Sequence, residues 1–138
     1  MRLVLDTNVV ASAMLWGGNP KQLLQARREK RVELFTSVTM LAELTDILAR
    51  RKFEKKIAAS LLSVDQLVDG YAELAQMVRP TPTPRIVSDP DDDVVIGTAL
   101  AAKVDLLVTG DRGLLDVGAY QGVRIVSVAE ALGIITAR

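Results

Sequence analysis

Along the chain, short unbroken apolar runs alternate with longer stretches in which apolar residues recur every three or four positions. "RLVL", "VELFTS", "DLLVTG" and "VRIVS" are of the first kind. Such runs, bounded by polar residues, read as buried strands. "TNVVASAML", "SVTMLAELTDILARR", "SVDQLVDGYAELAQMV", "DDDVVIGTALAAK" and "VAEALGII" read as helices. In the second of these, Leu41, Leu44 and Leu48 fall on one apolar side, and in the third Gly70 is a weak point. "WGGNP" breaks the first helix, and Asn19 is placed to cap another, with Pro20 at its first position, running to about Lys30. "FEKKIA" is a short helical piece. "RPTPTPRIV" cannot be helical, because each proline biases its predecessor to extended geometry, and it leads into a short strand at most. Apolar strands alternating with helices predict a three-layer α/β/α fold with a central parallel sheet covered on both faces. No repeat or long linker interrupts the pattern, so one domain is expected over residues 1–138.

Composition narrows the chemistry. The chain has no cysteine and no histidine. Disulfides, thiolate zinc sites, cysteine nucleophiles, Ser-His-Asp triads and histidine acid–base catalysis are therefore excluded. What remains is carboxylates, hydroxyls, Lys, Arg, Tyr, or a metal held by oxygen. The apolar runs are far shorter than a membrane span. The opening "MRLVLDTNVV" does not read as a signal peptide, so a cytoplasmic protein without membrane contact is expected. Seventeen basic and seventeen acidic residues give zero net charge, which counts mildly against a nucleic-acid binder. The basic residues are nevertheless clustered: Lys21, Arg27, Arg28, Lys30 and Arg31, then Arg50, Arg51, Lys52, Lys55 and Lys56. They are either solvated helix ends or phosphate-contacting rims around an acidic centre, with Arg50, Arg51 and Lys52 as candidate phosphate contacts.

The acidic residues carry the stronger signal. In an open α/β sheet, function gathers beyond the carboxyl ends of the strands. "LVLD" puts Asp6 there, and "LLVTGD" puts Asp111 just past another strand. Singly, Asp6 could be a helix cap and Asp111 a turn residue before Gly113. Together they are aimed at one edge. "DPDDDVVIG" crowds Asp89, Asp91, Asp92 and Asp93 at the start of a helix that should open on the same edge. Glu43, near the apolar boundary of its helix, is either a fourth member or an ordinary exposed acid. Converging carboxylates without histidine suit Mg²⁺ or Mn²⁺, which can activate water for phosphoryl displacement. The chain lacks both the GxxxxGK[ST] and the GxGxxG phosphate-binding patterns.

"LVLDTNVV", "LAEL", "DPDDDVVIGTAL" and "LVTGD" resemble, in order and spacing, the motifs of PIN-domain ribonucleases, over nearly the whole chain. The resemblance is closest to the VapC-like toxins of toxin–antitoxin pairs. It implies a metal-dependent ribonuclease with a four-acid site at Asp6, Glu43, Asp92 and Asp111. The spacing to "GTAL" selects Asp92, with Asp93 the main rival. Asn8 and Thr109 fall on positions that support the first and last acids. The resemblance also implies an RNA substrate, a small antitoxin partner and a homodimer, for which Leu61, Leu62, Leu67 and Val68 offer apolar helical surface or are core. Two alternatives remain. One is a haloacid-dehalogenase-type phosphatase, which would want an acid where Asn8 stands. The other is a catalytically inert binding module of the same fold.

Overall fold

The computed structural model describes residues 1–87 and 89–137. Strand β1 (Arg2–Leu5) is followed by helices α1 (Thr7–Leu15) and α2 (Asn19–Arg28), then β2 (Glu33–Thr36) and α3 (Val38–Leu48). A short 3-10 turn leads to α4 (Glu54–Ser60), α5 (Val64–Leu74) and β3 (Ala75–Met77). After the proline-rich stretch come α6 (Pro90–Ala102), β4 (Leu106–Val108), α7 (Arg112–Val117), β5 (Ala119–Tyr120), β6 (Val123–Val126) and α8 (Val128–Thr136). The strands form one sheet in the order β3-β2-β1-β4-β6-β5. The four pairings from β3 across to β6 are parallel, and β5 joins β6 antiparallel. The sheet is thus mixed at one edge rather than purely parallel.

Two apolar clusters lie on opposite faces of the sheet. Leu3 and Leu5 of β1 join one, with α1, α2, α3, α5 and α8. Val4 joins the other, with α6 and α7. Alternate side chains of one strand feed both cores, which is why "RLVL" is apolar without a break.

Three local readings change. Asn19 begins α2 inside the helix, and the cap position falls on Gly18 at φ 85°, a left-handed value that favours glycine. The stretch read as one helix from Ser63 to Val78 ends at Leu74, and Ala75–Met77 pair with Leu34–Thr36. The open edge of β2 offers those residues a ladder that local propensity cannot register. Helix α7 and strand β5 were not anticipated; both are too short to show a period. Of the residues considered for a dimer surface, Leu67 is buried and Val68 packs on the core, whereas Leu61 and Leu62 are exposed.

Gly70 lies inside α5 beside a cavity of about 400 Å³ between α1, α2 and α5. A Cβ at Gly70 would meet no atom within 4 Å. Glycine costs a helix interior about 0.5–1 kcal/mol relative to alanine. Gly70→Ala should therefore raise the free energy of unfolding by about that amount, read from denaturant midpoints at unchanged m-value; a loss of stability would contradict the open geometry.

Candidate active site

The site begins with strand register. Leu5 of β1 lies opposite Val108 of β4, so the next residues, Asp6 and Thr109, emerge side by side. The Asp6 N–H donates to the Val108 carbonyl at 2.9 Å, and the Thr109 N–H to that of Val126 at 3.0 Å. With both backbones held, the buried Thr109 hydroxyl donates to Asp6 Oδ2 at 2.7 Å. The same hydroxyl oxygen accepts the Asp111 N–H at 3.0 Å. Thr109 therefore ties the first acid to the last. The other Asp6 oxygen, Oδ1, accepts the Thr7 N–H at 2.7 Å as the cap of α1. Asp111 caps α7, its Oδ2 accepting the Leu114 N–H at 3.0 Å. The structural and functional readings of both acids are compatible, since a capping carboxylate still has unused lone pairs.

Helix α6 supplies the next acids. Asp89 is its cap and accepts the Asp91 N–H at 3.0 Å. Asp91, Asp92 and Asp93 fill the first turn, and successive residues on a helix point about 100° apart. The three accordingly face different neighbours. Asp91 carries its charge toward Glu43. Asp92 stands against Asp111 and Asp6 and is hydrogen-bonded to Asp111. Asp93 turns toward the preceding segment, accepting the Ile86 N–H at 3.1 Å and pairing with Arg85 at 3.4 Å. Between the two rivals, Asp92 is the one that meets the other acids.

Glu43 is half-buried on α3, where Thr7 hydrogen-bonds it and the charges of Asp91, Asp6 and Asp89 surround it. Its helix is set by Ser37, the buried cap of α3, whose hydroxyl oxygen accepts from Thr98 of α6 at 3.1 Å. The four acids Asp6, Glu43, Asp92 and Asp111 thus come from four separated segments to one edge, with Asp6 between Glu43 and the Asp92–Asp111 pair.

Electrostatics reflect the crowding. Burial raises the Asp6 pKa most and the Asp111 charge adds to this, against hydrogen bonds from Thr109 and Thr7 that lower it. Burial likewise raises Glu43, helped by Asp91, Asp6 and Asp89 and opposed by Thr7. Asp92 is pushed up to about 7, first by burial, then by the charges of Asp111, Asp6 and Asp89 and the hydrogen bond to Asp111. Among the described residues, none of these four acids has a salt-bridge partner. Nor does any group of three or more among the described residues stand in ready metal-binding geometry. The donor chemistry, oxygen throughout and negative without compensation, fits a hard divalent cation.

Other expected contributors lie differently. Asn8 is exposed, and among the described residues it donates to none of the acids; Thr7 and Thr109 support them instead. Thr7 was missed, although a hydroxyl directly after a strand-end aspartate is a usable signal. The run 27–31 lies at the opposite, amino edge of the sheet, since it leads directly into Glu33, the partner of Arg2. There Arg27 donates to the Leu74 carbonyl at 2.8 Å. Arg50, Arg51 and Lys52 follow α3, about two turns beyond Glu43. Lys52 sits over the Phe53 ring and Lys56 over Trp16, at the far end of α1 from Thr7.

A mixed α/β sheet with an acidic, oxygen-only site at its carboxyl edge defines the class. The PIN domain model matches residues 2–113, and the chain belongs to the PIN-domain family. PIN domains are generally nucleases. Among solved structures, the chain is similar in fold to a chain of VapBC2 from Rickettsia felis, a structure described as bound to a DNA fragment from the promoter. The TM-score is 0.60 at 15% identity, covering 92% of this chain and 98% of that one. No curated protein matches the chain in sequence.

The raised Asp92 pKa makes a testable link to stability. Between about pH 4 and pH 7 the folded protein holds a proton that the unfolded chain has released. Stability conferred by this group therefore falls as pH rises through that window. In EDTA, Asp92→Asn should match the parent near pH 4 and exceed it at pH 8. Partial solvation of Asp92 holds the gain to about 1–2 kcal/mol. Equal stability of the two proteins at pH 8 would contradict the crowding.

Proposed function

We propose that the protein is a Mg²⁺- or Mn²⁺-dependent ribonuclease and the toxin of a toxin–antitoxin pair, acting in the cytoplasm. The observation that carries this reading is the meeting of Asp6, Asp92 and Asp111, with Glu43 beside Asp6, without a compensating ion pair among the described residues. Membership of the PIN family favours phosphodiester hydrolysis over the phosphatase alternative. Asp6, Glu43, Asp92 and Asp111 would hold the cation. When bound, it would supply the charge that activates water and offsets the charge growing on the phosphoryl oxygens. Thr109 and the Thr7 N–H fix the Asp6 carboxylate, so its direction does not depend on substrate. Asp111 is fixed by the α7 N-terminus in the same way. Arg50, Arg51 and Lys52 would meet phosphates of the RNA further along its backbone, away from the carboxylates. A small antitoxin partner, in keeping with the fold likeness to a chain of VapBC2, would insert a basic side chain near Asp6 and Asp92, whose carboxyls lack an ion pair among the described residues. Exposed Leu61 and Leu62 offer apolar surface for a homodimer.

Asp6→Asn removes one charge at nearly constant shape. It should abolish RNA cleavage and the rise in melting temperature caused by Mn²⁺, with circular dichroism unchanged. Asp92→Asn should do nearly as much, and Asp89→Asn little, because Asn also caps helices well. Cleavage that persists in EDTA, or in Asp6→Asn, would sink the metal-nuclease reading. No cleavage by the parent with Mn²⁺ binding intact would favour the inert module.

Replacing Arg50, Arg51 and Lys52 with Gln should weaken RNA binding and flatten its salt dependence by up to about three counterions. An unchanged slope would remove this segment from the interface.

A further inference from the structure

The proline-rich segment between β3 and α6 has contacts that the catalytic reading does not use. Val78 still extends the sheet, its N–H donating to the Thr36 carbonyl at 2.9 Å. Beyond it, Pro80, Pro82 and Pro84 leave every second residue without an N–H and keep the chain extended. The Thr81 N–H donates to the Gly97 carbonyl in the middle of α6 at 3.0 Å. The approach is so close that a Cβ on Gly97 would lie 2.5 Å from the Thr81 carbonyl oxygen, a backbone atom. Further along, Asp93 accepts the Ile86 N–H and pairs with Arg85. Ile86 and Val87 pack on the same apolar cluster as α6. The segment therefore runs back along α6 and is fastened to it at two points, one turn apart on the helix.

We propose that this segment is a strap that sets the rotation of α6, and that Asp93 and Gly97 are positioning residues which aim Asp92 at Asp6 and Asp111. A helix turns about 100° per residue. Three consecutive aspartates cannot choose among themselves which one faces the site, since their chemistry is identical. Fastening Asp93 to Ile86 and Arg85 fixes the choice: Asp92 then meets Asp6 and Asp111, and Asp91 lies toward Glu43. Gly97 keeps the second fastening close, because any side chain there would push the Thr81 backbone away. The consequence for catalysis rests on the nuclease reading above; the geometric claim does not.

The geometric claim can be tested without metal or activity. The chain has no cysteine, so the pair Asp92→Cys and Asp111→Cys should be cross-linked by a short bifunctional thiol reagent, which spans the gap left where two carboxyl groups met. The pair Asp93→Cys and Asp111→Cys should not. Adding Gly97→Ala to the first pair should slow its cross-linking at least about 10-fold while circular dichroism still reports a folded protein. If Gly97→Ala does not fold, Arg85→Gln together with Asp93→Ala removes the other fastening and should slow the reaction in the same way. Cross-linking at an unchanged rate in a folded loosened variant, or equally fast from position 93, would overturn the proposal.

The catalytic consequence has its own arms. Asp93→Ala should raise the Mn²⁺ concentration for half-maximal cleavage about 10–100-fold, as loss of an orienting contact does at metal sites, with the KM for RNA unchanged. Asp93→Asn still accepts from Ile86 and should recover most of the loss. If Asp6→Asn abolishes cleavage but Asp93→Ala keeps the parent's Mn²⁺ dependence, the strap does not position the site. If cleavage survives Asp6→Asn, the nuclease reading fails and the cross-linking result still decides the strap.

Discussion

Four carboxylates are held at one edge of the sheet against their mutual repulsion, and the hydrogen bond from Thr109 to Asp6 is the contact on which that arrangement rests. It exists because β1 and β4 end in register, so that the residues leaving both strands stand side by side. The same threonine receives the Asp111 N–H, and Thr7 occupies the other oxygen of Asp6. These contacts favour the charged form of Asp6 while burial and Asp111 oppose it. Buried charge is costly unless hydrogen bonds or a counter-charge compensate it. Here the hydrogen bonds compensate only in part.

The surrounding fold supplies rigidity to this edge. Asp6 and Asp111 each cap a helix, so two of the four acids are also helix caps. Glu43 instead projects from the middle of a helix whose start is tied to α6 through Ser37 and Thr98. That buried hydroxyl pair joins the two helices carrying the second and third acids. A substitution at Ser37 or Thr98 would thus act on the site without touching it, by removing the tie between the two helices.

The fold carries the two basic segments to different places. Residues 27–31 lie at the amino edge of the sheet, and Arg27 serves as a C-terminal partner for α5. Lys52 and Lys56 lie on aromatic rings at the end of α1 remote from the acids. Helices that start at the carboxyl edge carry their later residues away from it, so a basic run at a helix end is displaced from the site by the helix's own length.

The sequence by itself determined the alternation of strands and helices, the placing of Asp6 and Asp111 beyond strand ends, and the acidic first turn of α6. Each of these follows from local hydrophobic period or from a residue's position relative to one element. Resemblance to PIN-domain motifs, rather than local pattern, brought Glu43 into the set and preferred Asp92 to Asp93. Only the tertiary structure decided that residues 75–77 form an edge strand, because the partner is β2, some forty residues earlier along the chain. It alone assigned Thr7 the support expected of Asn8, since the first turn of α1 buries one and exposes the other. It also decided the directions of Asp91, Asp92 and Asp93. Identical side chains at adjacent positions carry no local signal of direction; the rotation of their helix is set by the packing of α6 on the sheet and by the segment lying across it.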